Sequence, residues 1–173
     1  MKRFLALLLL ILSFIPLYAD VCPETALEVT TGPSFTHAFS DSYPIRSSLL
    51  SDVQIRGGIN AGKSNISLLF AYSYNTKTLV AGNIRYIDYS TARAGMRFSY
   101  EMLPKLDFTL STDFGFVFFH ASEMKAFILN GYIGIDYRVL KALSLITRLQ
   151  AGYINNAVTF SLQMGFALVS EDN

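Results

Sequence analysis

Apolar and polar side chains alternate position by position along most of this chain, in eight runs separated by turn-forming clusters. Successive side chains of a strand point to opposite faces, so a period of two predicts β-strands with two unlike faces. The clearest run is Leu106 to His120. Leu106, Phe108, Leu110, Phe114, Phe116 and Phe118 share one parity, broken only by Thr112, while Asp107, Thr109, Ser111, Asp113 and Gly115 share the other. At this length it is roughly twice the five to six residues of an ordinary soluble strand.

The other predicted strands are Ala26 to Phe39, Leu50 to Ala61, Asn65 to Asn75, Arg85 to Glu101, Phe127 to Val139, Leu143 to Tyr153 and Val158 to Leu168. Pro33 lacks an N–H for the ladder, so an irregularity or bulge is expected there. Gly62-Lys63-Ser64, Leu103-Pro104 and Leu140 to Ala142 read as tight turns, and Asn155-Asn156 as a further turn signal. Ser40 to Ser48, Thr76 to Asn83 and His120 to Lys125 read as longer, polar connections. An even number of strands with short turns at one end and longer loops at the other is the signature of an outer-membrane barrel. Tyr72, Tyr74, Tyr86, Phe118, Phe127 and Tyr153 gather at strand ends towards the loops, and Tyr100 and Tyr137 towards the turns, as two interfacial girdles.

Alternation does not say which parity faces inward. A soluble lipocalin-like barrel carries its apolar parity inside. Three features favour the inverse. The strands are long enough for a tilted span. The polar parity is rich in Gly, Ser and Thr, which suits a narrow interior better than a solvated face. Its charges also nearly balance, with Arg56, Arg93, Arg97, Arg138 and Arg148 against Glu28, Asp52, Glu101, Asp107, Asp113 and Asp136. Enclosed charges of that number must pair, because an unpaired buried charge is very costly. The tight turns bring Arg93 near Asp113, and Asp136 near Arg148, as cross-strand neighbours. The fold class expected is therefore all-β: an eight-stranded antiparallel transmembrane β-barrel wound as an up-and-down meander.

The N-terminus agrees with export. Lys2 and Arg3 precede an apolar run from Phe4 to Ile15, Pro16 breaks it, and Leu17-Tyr18-Ala19 offers a cleavage site, the build of a signal peptide over residues 1–19. A single-span anchor would need about twenty apolar residues. Residues 20–25 then form a short N-terminal segment, 26–168 the barrel and 169–173 a C-terminal tail. Cys22 is the single cysteine, so no internal disulfide forms. A lipid-modified cysteine would want small residues before it, and Asp20-Val21 stand there instead. The formal net charge of +1 is spread along the chain, which argues against nucleic acid as a partner.

Taken together, the export signal, the eight amphipathic strands and the last strand, S-L-Q-M-G-F-A-L, resemble the small outer-membrane barrel family of outer-membrane protein X, the OmpA transmembrane domain and OmpW. The resemblance is one of architecture over the whole mature chain. It implies the outer membrane of a double-membraned bacterium, lipid around a monomer, and recognition of the last strand by the barrel assembly machinery. In the family the chain usually ends on the aromatic, whereas Val169 to Asn173 continue here. It implies two roles: a structural or surface protein whose loops meet a host or environmental ligand, or a narrow channel or OmpW-type carrier of small apolar molecules.

Candidate chemistry is sparse. His120-Ala121-Ser122 looks like the His and Ser pair of the lipid A deacylase of this barrel family, acting as base and nucleophile. The acid that should orient the histidine is missing unless Glu123 serves, and the same residues read far more readily as an ordinary loop. No metal-ligand cluster, Cys–His pair, phosphate-binding Gly loop or dinucleotide fingerprint is present, so no metal, cofactor or enzymatic activity is expected. A lumen filled by paired charges stiffens a barrel; a selective pore would carry an excess of one sign.

Overall fold

The computed structural model describes residues 21–38, 46–76, 89–119, 125–154 and 157–171. The signal segment 1–19, His120, Ser122, Glu123, Tyr86 and Asn155-Asn156 lie outside these, as does most of the three longer predicted connections.

Eight strands carry the described chain: β1 (Val21–Ala38), β2 (Arg46–Ala61), β3 (Ser64–Thr76), β4 (Tyr89–Leu103), β5 (Leu106–Phe119), β6 (Lys125–Leu140), β7 (Leu143–Ile154) and β8 (Ala157–Glu171). Each pairs antiparallel with its neighbours in sequence, and β1 closes on β8, so the sheet is an up-and-down closed barrel with no free edge. β1 starts at Val21, ahead of the strand start expected at Ala26. At the other end β8 runs to Glu171, through most of the expected tail.

Pro33 produces the expected irregularity, on one side and without a bulge. Pairing with β2 continues through it, while pairing with β8 is interrupted between Thr31 and Ser34 and resumes in the same register. A missing N–H therefore removes ladder contacts on one side only. The register shifts that do occur sit beside turns, at Glu101/Leu103 and Arg138/Leu140. The turn end is tightly tied. Pro104-Lys105 joins β4 to β5 with Lys105 in the left-handed region (φ 73°), as the second central residue of a type II turn requires after Pro. Gly62 supplies the positive φ (63°) of the β2–β3 turn. The turns are also stitched to the following hairpin. Glu101 N–H donates to the Lys63 carbonyl (2.8 Å), Arg138 N–H to that of Lys105 (2.8 Å), and Val169 N–H to that of Ala142 (3.0 Å).

The apolar parity faces outward all round the ring. Phe70 is 64% exposed and Leu149 61%, whereas Leu69, beside Phe70 in sequence, is 1% exposed. Such a belt of exposed Phe, Leu, Ile and Met is far more apolar surface than a water-soluble monomer leaves uncovered. It matches the lipid-facing band of a transmembrane barrel. No helix of the described residues is long and apolar enough to cross a membrane; the crossing is made by strands.

Candidate functional site: the charged lumen

Eight strands leave an interior that side chains can fill, and here the filling is ionic. The inward parity of six strands contributes four arginines (Arg56, Arg93, Arg97, Arg148) and five carboxylates (Glu24, Glu28, Asp52, Asp113, Asp136) joined in one network.

Glu28 on β1 is its hub. Its carboxylate is fully buried and accepts from Arg56 Nε (2.8 Å), Arg97 Nη1 (2.5 Å) and Arg148 Nη1 (3.4 Å), which come from three different strands. Arg56 continues to Glu24, and Arg97 reaches on to Asp136 of β6, so Arg97 bridges the lumen from wall to wall. Arg148 donates to Asp52 (3.0 Å), Thr30 Oγ1 (2.7 Å) and Gln163 Oε1 (2.7 Å). Arg93 closes the far side, donating to Asp52 (2.7 Å) and Asp113 (3.1 Å). Tyr132 fills the remaining space. Its hydroxyl accepts from Arg93 and donates to Asp113 (2.9 Å), and its ring lies 5.2 Å from the Arg148 guanidinium carbon, within cation–π range.

Charge-assisted bonds of this kind are the strong ones. With each guanidinium spread over two or more partners, the usual cost of enclosing ions is met by geometry. The arrangement can brace the wall and block the lumen.

One expected pairing differs from the structure. Asp136 and Arg148 do not pair; although the β6–β7 turn makes them diagonal neighbours, Arg148 turns across the lumen to Glu28 and Asp52, and Asp136 takes Arg97 instead. The Arg93–Asp113 contact does form. Of the remaining expected interior charges, Arg138 and Asp107 stand 3.8 Å apart at the turn end, half-exposed, with Glu101 beside them. Tyr72, Tyr74, Tyr100, Phe118, Phe127, Tyr137 and Tyr153 all point outward.

Sequence reasoning missed Glu24, which lies ahead of the first clear alternation, and Tyr132, an aromatic on the polar parity. It also missed an apolar cluster inside the loop end of the barrel, where Tyr89, Val117, Ala126, Ile128 and Ile154 pack together with Phe119 against them. The signal for it exists: at Val117-Phe118-Phe119, Phe127-Ile128-Leu129 and Tyr153-Ile154 the alternation lapses and both parities become apolar.

No family model matches the chain, and no curated protein matches it by sequence. Solved structures do. Neisserial surface protein A superposes with a TM-score of 0.58 at 12% identity, over 83% of this chain and 96% of that one. The attachment invasion locus protein Ail of Yersinia pestis gives 0.58 at 8% identity, over 85% and 98%. The chain has the fold of the small outer-membrane β-barrels. A barrel of this build, apolar outside and charged inside, belongs in the outer membrane of a double-membraned bacterium.

Proposed function

We propose that this barrel is a monomeric, non-conducting and non-catalytic surface protein of the outer membrane, inserted by the barrel assembly machinery and meeting a host or environmental ligand through its loop end. The observation that carries the reading is the lumen. Arg97 spans it between Glu28 and Asp136, and Arg148 and Arg93 fill the level around Asp52. A path for ions would have to break several buried, charge-assisted bonds at once. The likeness to Ail, a protein named for attachment and invasion and also solved with a heparin analogue, supports a surface role for this fold at the level of analogy alone.

The test is conductance of the refolded protein in planar bilayers. The reading expects no discrete steps; stable unit openings of the native protein would sink it. The non-catalytic part is tested separately: Ser122→Ala should leave lipid A acylation unchanged in cells expressing the barrel, and a loss of deacylation in that variant would overturn it.

A second reading, a carrier of small apolar molecules, rests on one observation, the apolar cluster of Tyr89, Val117, Ile128 and Ile154 inside the loop end. Saturable quenching of a lipid-like fluorescent probe that is lost in Val117→Asp would favour it over the first.

A further inference from the structure

Charge at the turn end is sorted between the inside of the barrel and its perimeter. Inside the mouth the strand registers line up carboxylates. Glu101 of β4 stands opposite Asp107 of β5, which stands opposite Asp136 of β6. All three line the cavity of about 380 Å³ at that end, and all are buried or half-buried. Lysines take the other place. Four fall among the described residues, and three of these stand one to a turn: Lys63 between β2 and β3, Lys105 between β4 and β5, Lys141 between β6 and β7. All three are exposed. Lys63 sits on the rim of the cavity, while Lys105 and Lys141 are not part of its lining.

The surroundings of these lysines are lipid-facing. Met102 and Leu103 precede Lys105 closely, Val139 and Leu140 precede Lys141, and all four are exposed. Tyr100 and Tyr137, outward on the same strands, mark the level where aromatic rings sit at a bilayer interface. At a rise of about 3.3 Å per residue on a tilted strand, the turn tips stand on the order of 10 Å beyond those rings. A lysine stem is long enough to reach back from there to the phosphates while its ammonium stays in the headgroup layer. The tips are also fixed: the Lys63 and Lys105 carbonyls, and that of Ala142 beside Lys141, each accept a backbone N–H from the strand beyond their own hairpin.

The sorting of charge narrows the partner. A soluble polyanion laid across the end of the barrel would meet the carboxylates of the mouth as well as the lysines, and like charges brought together across an interface are costly. Anions arranged round the perimeter meet the lysines alone, and a lipid leaflet supplies that arrangement. We propose that the three turn lysines form a recognition surface for anionic glycerophospholipid headgroups, gathering such lipids round the turn end in preference to zwitterionic ones. The surface lies outside the lumen, so it does not depend on whether the lumen conducts or on what the loops bind.

Fluorescence quenching by brominated lipids tests this. The chain has no Trp, so Tyr137→Trp places a lone reporter on the outer wall at the turn end. The barrel is refolded into vesicles of phosphatidylglycerol and phosphatidylcholine, with bromine on the acyl chains of one lipid or the other. The expected result is a preference for phosphatidylglycerol of about twofold or more at low ionic strength, since each lysine near a headgroup layer attracts anionic lipid. It should fall to parity near 1 M salt, where the screening length is about 3 Å. Combining Lys63→Gln, Lys105→Asn and Lys141→Gln should give parity at low salt with the gel mobility of the unboiled barrel unchanged; Asn suits the left-handed backbone at 105. Lys141→Gln alone, nearest the reporter in sequence, serves if the triple variant does not fold and should lower the preference. Parity in the native protein would overturn the proposal, as would a preference unchanged in the variants or persisting at 1 M salt. Loss of the preference on adding soluble glycerol phosphate at the concentration of the anionic lipid would also overturn it, marking a site for free anions.

Discussion

Glu28→Gln is the substitution that should expose the architecture of the lumen most sharply. Gln keeps the volume and one acceptor oxygen, but it removes the charge shared by Arg56, Arg97 and Arg148 and turns an amide donor towards guanidinium groups. Glu28 is fully buried, so water cannot compensate without rearrangement. Removing one partner of a buried ion pair typically costs about 3–5 kcal/mol. With an m-value of about 2 kcal/mol per molar urea for a domain of this size, the unfolding midpoint should drop by roughly 1.5–2.5 M. The assay is urea unfolding of the barrel in lipid vesicles, followed by the gel mobility of the folded form. Arg56→Met alone should also destabilise, because it leaves Glu24 and Glu28 short of a cation. The double variant Glu28→Gln/Arg56→Met should cost clearly less than the two singles combined, since groups in one network are not additive. A midpoint shift below about 0.5 M for Glu28→Gln, or strict additivity in the cycle, would refute the claim that Glu28 organises the interior.

Two further substitutions probe the wall. A methyl group on Gly115 would run into the backbone of Ala92 on the neighbouring strand, whereas one on Gly131 would point into open space on the lipid face. Gly115→Ala should therefore lower stability by about 2 kcal/mol or more, in the range of overpacked sites. Gly131→Ala should stay within about 0.5 kcal/mol, and equal effects in the same unfolding assay would contradict the register. On the exterior, Phe70→Arg at the middle of β3 should cost about 2–4 kcal/mol in vesicles, the depth-dependent penalty for a cation facing acyl chains. A neutral outcome would mean that this face does not meet lipid.

The parts of this structure legible in the sequence are those set by short-range geometry. Period-two alternation gives the strands, because side-chain direction follows from the backbone alone, and Pro104 and Gly62 mark turns through their fixed or permissive φ. The Arg93–Asp113 contact could be foreseen because one hairpin sets the offset between its two residues. Contacts across the lumen, such as Arg97 with Glu28 and Arg148 with Asp52, join strands that are not neighbours. Their relative heights depend on the stagger of the closed barrel, which no local pattern encodes. That is also why Asp136 and Arg148, adjacent by hairpin geometry, were expected to pair and do not. Tyr132 is hard to read from sequence because its role rests on the hydroxyl, while its ring gives it the look of a misplaced apolar residue. The mouth with its carboxylate row was hidden for a different reason. Glu101, Asp107 and Asp136 each fall on the polar parity, but their direct opposition appears only once two strand registers are combined.

The central claim is that the barrel is apolar outside and polar within, and adjacent positions on β6 test it most directly. The chain contains no Trp, so a single introduced indole reports alone. Tyr132 points into the lumen and Ile133 points outward. In vesicles of lipid brominated on the acyl chains, Ile133→Trp should be strongly quenched and Tyr132→Trp should not, each in a protein that still migrates as a folded barrel. Equal quenching at the two positions, or quenching of Tyr132→Trp alone, would contradict the account.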